Sequence, residues 1–204
     1  PLYSSAASDV YKRQDINRHG PARLAELPVV EELSVRQFRE RMSDPTVVVL
    51  DTRSYHAYAG QHIPGAWHID LNGNFPTFAG WVLPTDKDVL LVADDYGKAL
   101  EAITWARRVG VDRIVGYLDG GMVAWAVAGL KTSSVKLLSA EDLHDMIAGH
   151  ADFVLLDLRA PLEYEDNHIN GAINIPVADL RTCYNDLNRD KTTVLICSSG
   201  CLLY

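Results

Sequence analysis

Asp51-Thr52-Arg53, followed by His62-Ile63-Pro64-Gly65-Ala66, returns later in the chain as Asp157-Leu158-Arg159, followed by His168-Ile169-Asn170-Gly171-Ala172. In both copies His lies 11 residues after Asp and Gly 14 residues after it, and the copies are 106 positions apart. Order and spacing kept over this length mark an internal repeat, and hence two like units. Each copy is entered by an uninterrupted apolar run, Val47-Val48-Val49-Leu50 in one and Phe153-Val154-Leu155-Leu156 in the other. Strands that do not alternate apolar with polar are buried on both faces, as in a parallel sheet sandwiched by helices.

Working outward, Val89–Val92, Ile114-Val115 and Val194–Ile196 are further strands of the same kind. Ser34 and Gln37 have capping-box spacing, and Val35, Phe38 and Met42 then share a helical stripe. Leu100, Ile103, Ala106 and Val109 mark a second helical face, which Gly110 stops before a strand within Asp112 to Leu118. Leu33-Ser34 and Leu138-Ser139 open the first helix of each copy at nearly the same offset. The expected architecture is α/β: two domains of roughly 100 residues, each a mostly parallel sheet flanked by helices. They occupy 32–132 and 137–204, with a joint near Thr132 to Lys136.

Composition narrows the function classes. Of the 204 residues, 48% are hydrophobic and 23% charged, which is ordinary for a globular protein and excludes collagen-like or disordered chains. The formal net charge of -8 gives no basic footprint for nucleic acid or an anionic membrane. No apolar run approaches the roughly 18 to 20 residues that span a bilayer. The N-terminal residues lack the order of a signal peptide. Cys183, Cys197 and Cys201 fall in the last 22 residues, a distribution unsuited to a disulfide framework, so a cytoplasmic location is expected. The opening residues 1–14 and the closing Cys201-Leu202-Leu203-Tyr204 have the look of sequencing-adapter read-through rather than native sequence.

An apolar strand ending in Asp-x-Arg, then His-Ile-x-Gly-Ala, then a strand running into Cys-x-x-Gly resembles the rhodanese (sulfurtransferase) family over about 32 to 200. Leu118-Asp119-Gly120-Gly121-Met122-Val123-Ala124-Trp125 is similar to that family's Leu-x-Gly-Gly-x-x-x-Trp signature. The residues carry their own argument. Cys197, delivered by a strand into Ser198-Ser199-Gly200, sits where a parallel strand meets the next helix, at the sheet edge where α/β proteins bind ligands. Loop amides and a helix dipole at that edge stabilise a thiolate. The resemblance implies that Cys197 is the nucleophile and that Ser198, Ser199 and Gly200 supply loop amides. Sulfane sulfur from thiosulfate or a persulfide would pass through a cysteine persulfide to a thiol or cyanide, without a cofactor.

The family pattern is interrupted in both copies. After Gly200 the usual Arg and Ser or Thr are replaced by Cys201, Leu202 and Leu203, so the second domain reads as truncated and turnover by this fragment alone is expected to be low. In the first, aligning Gly97 with the glycine of Cys-x-x-Gly puts Asp94 at the nucleophile position and makes Asp94, Asp95, Tyr96 and Gly97 a degenerate site. That domain is expected to be catalytically silent, because a carboxylate cannot accept sulfane sulfur and two acids repel an anionic donor.

Asp51, Arg53, Asp157 and Arg159 are expected to shape the loops, and His62 and His168 to stabilise turns, without doing chemistry. Trp67, Trp81, Trp105 and Trp125 read as core, and Cys183 as structural. No His, Cys or carboxylate set has metal-ligand spacing. Asn17-Arg18-His19-Gly20-Pro21-Ala22-Arg23-Leu24 resembles the segment that joins a metallo-β-lactamase-fold domain to tandem rhodanese domains, in fusion proteins that include non-haem iron persulfide dioxygenases. Residues 15–31 would then be a linker from a missing upstream domain that holds the metal. Two alternatives follow: a non-catalytic binding or regulatory module of such a hydrolase or dioxygenase, and a phosphatase or arsenate reductase using a Cys-led anion loop.

Overall fold

The computed structural model describes residues 26–183, 186–188 and 190–197. The first unit runs β1 (Glu31–Leu33), α1 (Val35–Met42), β2 (Val47–Asp51), α2 (Tyr55–Gly60), β3 (Trp67–His68), α3 (Phe75–Val82), β4 (Asp88–Val92), α4 (Tyr96–Arg108), β5 (Ile114–Leu118) and α5 (Gly121–Val127). The second runs α6 (Ala140–Ala148), β6 (Phe153–Asp157), α7 (Pro161–Asp166), β7 (Ile173–Asn174), α8 (Val177–Cys183) and β8 (Thr192–Ile196). Every ladder in both sheets is parallel, with strand order β1-β5-β4-β2-β3 in the first and β7-β6-β8 in the second. The fold class is therefore the α/β arrangement of parallel sheets flanked by helices, with a small second sheet. The expectations for residues 1–14, for most of 15–31 and for Ser198, Ser199, Gly200 and Cys201 lie outside the described residues.

The continuous apolar strands have the physical cause assigned to them. Leu90 and Val92 of β4 point into a cluster with Phe38, Met122 and Trp125, while Val89 and Leu91 point into one with Phe75, Ala102 and Ile103, and all four strand residues are fully buried. Alternation persists in direction, but both directions are dry. The second cluster continues into the other unit through Leu156, Leu158, Val177 and Leu180, and α3 lies against α8.

The helix starts match the sequence. Ser34 accepts from the Gln37 amide while the Gln37 side chain accepts from the Ser34 amide, and Ser139 and Asp142 repeat this box at the head of α6. The expected α4 stripe is turned. Ala99, Ala102, Ile103 and Ala106 face inward, whereas Leu100 and Val109 are exposed. Small residues let the helix lie close on the sheet, and the larger apolar side chains are left at the margin. Two tryptophans read as core are at the surface for a similar reason: Trp81 is 51% and Trp105 37% exposed, the latter under the Arg108 guanidinium at 4.6 Å. Trp125 is buried and donates to the Lys131 carbonyl at 3.0 Å.

The joint is fastened to the first unit. His62 and Ser133 exchange backbone hydrogen bonds of 2.9 Å, and Val135 donates to Ala59. Beyond it, Lys136-Leu137-Leu138 forms one side of a groove of about 730 Å³, with β8 on the other side and Leu143 and Met146 of α6 on its wall. In the first unit the corresponding interval, between β1 and β4, holds β5.

Gly121 explains the Gly-Gly signature. Its φ is +52°, and a Cβ there would stand 2.7 Å from the carbonyl oxygen of Ala93, so α5 can start against the end of β4 only without a side chain. Gly121→Ala is expected to destabilise the first unit by about 1–3 kcal/mol through backbone strain and contact together. Urea unfolding followed by tryptophan fluorescence measures it, since all four tryptophans, at 67, 81, 105 and 125, lie in this unit.

Candidate functional site

Asp157 ends β6 opposite Ile196, the last residue of β8, and the Leu158 amide donates to the Ile196 carbonyl at 2.8 Å. Cys197 follows directly, at the carboxyl edge of the sheet where the strand's ladder stops. It is half-buried, and with Leu195 it packs on the apolar cluster that runs between the units. The thiol therefore has an apolar side.

Beside it lies a fork. Arg159 Nε donates to Asp157 Oδ1 at 3.0 Å and Nη2 donates to Oδ2 at 2.7 Å, while the Arg159 amide donates to Oδ1 at 3.0 Å. Nη2 also donates to the Asn167 carbonyl at 2.7 Å, which ties the end of α7 to the end of β6. Burial alone raises the pKa of Asp157, but hydrogen bonds from the Arg159 side chain and backbone, together with its charge, outweigh it and hold the carboxyl below its ordinary value. The same contacts push Arg159 upward. Both oxygens of Asp157 are engaged, so it holds the loop rather than moving a proton.

The turn after α7 is built from rings and carbonyls. The Tyr164 hydroxyl donates to Ala172 at 2.6 Å, and His168 stacks on Tyr164 at 4.0 Å with Nδ1 2.8 Å from the Tyr164 carbonyl. Asn174 donates from its amide nitrogen to the Asp157 and Arg159 carbonyls, both at 3.0 Å. The first unit repeats this frame with Asp51, Arg53, Tyr58 and His62, and Arg53 Nη2 reaches the Gln61 carbonyl at 2.7 Å. One position differs: His68 stands where the second unit has Asn174. That exchange lies beyond the Gly-Ala turn, outside the spacing that marks the repeat.

Strand register relocates the first unit's counterpart of Cys197. β4 and β8 are offset by 104 (192 minus 88), and Asp51 pairs with Val92 as Asp157 pairs with Ile196. Ala93, not Asp94, thus occupies the position of Cys197. Alignment on the glycines misplaces it by one because four residues separate Val92 from Gly97 and three separate Ile196 from Gly200. Ala93 is buried, Asp94 and Asp95 are exposed, and Tyr96 is 59% exposed with its ring 5.8 Å from that of Tyr117. Asp95 caps α4 by accepting from the Lys98 amide at 2.8 Å. A carboxylate of the chain itself thereby takes one of the free amides at the head of α4 and places a negative charge there.

Cys183 is half-buried in α8. Among the described residues no cluster of three or more His, Cys, Asp or Glu could hold a metal ion, and no helix is long and apolar enough to cross a membrane.

The chain is similar to several known proteins. The chain is 29% identical over 195 residues to the "Probable 3-mercaptopyruvate sulfurtransferase" of Pseudomonas aeruginosa, covering 69% of this chain and 68% of that protein. It is 37% identical over 66 residues to the "Uncharacterized protein YqhL" of Bacillus subtilis, covering 32% of this chain and only 50% of that protein's length. Among solved structures, SseA of Escherichia coli is similar over 85% of this chain and 90% of its own, at 19% identity and a TM-score of 0.45. The model of the rhodanese-like domain matches twice, at 34–128 and 139–202. A two-fold match that spans both halves of the repeat places the chain in the rhodanese-like domain family.

Proposed function

We propose that the chain transfers sulfane sulfur through Cys197. The observation that carries this reading is the placement of that thiol at the carboxyl end of β8, next to the Asp157–Arg159 fork, in a family whose member in Pseudomonas aeruginosa is described as a sulfurtransferase. The Cys197 thiolate attacks the outer sulfur of thiosulfate. A new S–S bond forms, the donor's S–S bond breaks, and sulfite leaves with the electron pair. A thiol or cyanide then attacks the outer sulfur of the persulfide and returns the thiolate, with no external oxidant. Ser198, Ser199 and Gly200 supply amides around the sulfur in this reading.

The first unit has a supporting role in it. Ala93 has no nucleophile and Asp95 takes one of the free amides at the head of α4, which favours a binding or regulatory part for this unit.

Mass spectrometry separates transfer from mere binding. After exposure to thiosulfate or 3-mercaptopyruvate, the peptide after Lys191 is expected to gain about 32 Da, located on Cys197 by fragmentation and removed by cyanide. Sulfur on Cys183 alone, or on no cysteine, overturns the assignment and leaves the pair as a binding module.

A further inference from the structure

His68 is fully buried, yet its two ring nitrogens are unequally provided for. Nε2 lies 2.8 Å from the Arg53 carbonyl, which can only accept, so the proton resides on Nε2. Nδ1 then carries a bare lone pair, and it has no hydrogen-bond partner among the described residues. One face of the ring stacks on Tyr58 at 4.5 Å, and His62 stacks on Tyr58 at 3.9 Å. In the second unit the corresponding Asn174 spends its two N–H donors on the Asp157 and Arg159 carbonyls and has nothing to titrate.

We propose that His68 is a proton-sensitive latch through which the first unit loses stability below about pH 6.5, a loss that Asn174 in the same place spares the second. Neutral His68 ties the end of β3 to the Arg53 turn. A second proton would put an N–H donor on Nδ1 with no acceptor, and a charge where no water reaches, so the ring takes it up by leaving its pocket. The tie to Arg53 is then lost at the turn that also carries the Asp51–Arg53 fork.

The charged and titratable surroundings are accounted for on every side. Asp51 at the end of β2 is neutralised by Arg53, at 2.7 Å. Asp70, after β3, accepts from the amides of Tyr55 and Asn72 and from the Asn72 side chain. Tyr58 stays protonated, its pKa pushed up to about 12 by burial and then by Asp51. His62 stacks on the Tyr58 ring, at 3.9 Å, and its Nδ1 lies 2.8 Å from the Tyr58 carbonyl. Burial depresses the pKa of His68, and it outweighs the Arg53 carbonyl and the two carboxylates, which act the other way. With the folded value below the unfolded one, the unfolded chain binds more protons. Stability from this group is therefore whole above the unfolded value of about 6.5 and drains as pH falls below it.

Urea unfolding of the 204-residue chain, followed by tryptophan fluorescence between about pH 7.5 and 5.5, tests this on the first unit alone. The unfolding constant of the wild type is expected to rise by up to about tenfold per pH unit below about pH 6.5. His68→Asn, which installs the second unit's own residue, is expected to remove most of that slope. The other histidines are common to both proteins, so equal slopes overturn the proposal. Should the variant not fold, NMR titration of the wild-type imidazoles decides: a native His68 that stays neutral and Nε2-protonated below about pH 6 supports the latch, and titration at or above about 6.5 overturns it.

Discussion

Cys197→Ser is expected to reduce sulfur uptake from thiosulfate to background, with no persulfide located at position 197 by fragmentation, whereas Cys183→Ser keeps both. The argument rests on what each atom can do. Serine has nearly the shape of cysteine, so the end of β8 and its contact with Leu158 persist. Its hydroxyl is not ionised near neutral pH and does not displace sulfite from sulfane sulfur. Among the described residues Asp157 is no substitute, because both its oxygens are held by Arg159, and the first unit has an alanine at the equivalent place. Circular dichroism matching the wild type would show that the loss is chemical. A Cys197→Ser protein that transfers sulfur as fast as the wild type would remove Cys197 from the mechanism.

The same contrast shows what sequence could and could not convey. The Asp-x-Arg and His-Ile-x-Gly-Ala spacings encode contacts that close within a few residues: an Asp that grips the Arg two positions on, and a His that stacks on a Tyr four positions back. Such local geometry survives in the order of residues, as do the capping boxes at Ser34 and Ser139. Offsets across a sheet do not. Ala93 corresponds to Cys197 because ladder hydrogen bonds fix strand register, while the number of residues to the next glycine differs by one. The direction of the α4 face was hidden for a related reason. Ala99, Ala102 and Ala106 carry little apolar signal, yet it is their smallness that lets the helix approach the sheet. Nor does either copy show by itself that Val177 and Leu180 share a cluster with Phe75 and Ala79, since that continuity exists only between units.

Asp51→Ala is expected to have the largest effect on stability. Asp51 is fully buried, and its carboxylate accepts from the Arg53 amide, Nε and Nη2 at 3.1, 3.0 and 2.7 Å. Removing it leaves a guanidinium whose side chain is only 9% exposed without its counter-charge. Breaking one side of such a pair costs about 3–5 kcal/mol, a large share of the roughly 5–15 kcal/mol that holds a typical domain together. Asp157→Ala breaks the same fork, but the Arg159 side chain is 22% exposed and can turn towards water, so its cost is smaller. Acid should reproduce that loss in milder form. The folded pKa of Asp157 is depressed, so its contribution is complete above the unfolded value of about 3.9 and disappears as pH falls through the folded one. Replacing both members, as in Asp51→Leu with Arg53→Met, is expected to cost less than Asp51→Ala alone, because no uncompensated charge remains in the interior. Urea denaturation followed by tryptophan fluorescence ranks Asp51→Ala against the double variant, and amide hydrogen exchange compares it with Asp157→Ala in the second unit. A loss below about 1 kcal/mol for Asp51→Ala would mean that Arg53 finds solvent easily and that the fork does not hold the first unit together.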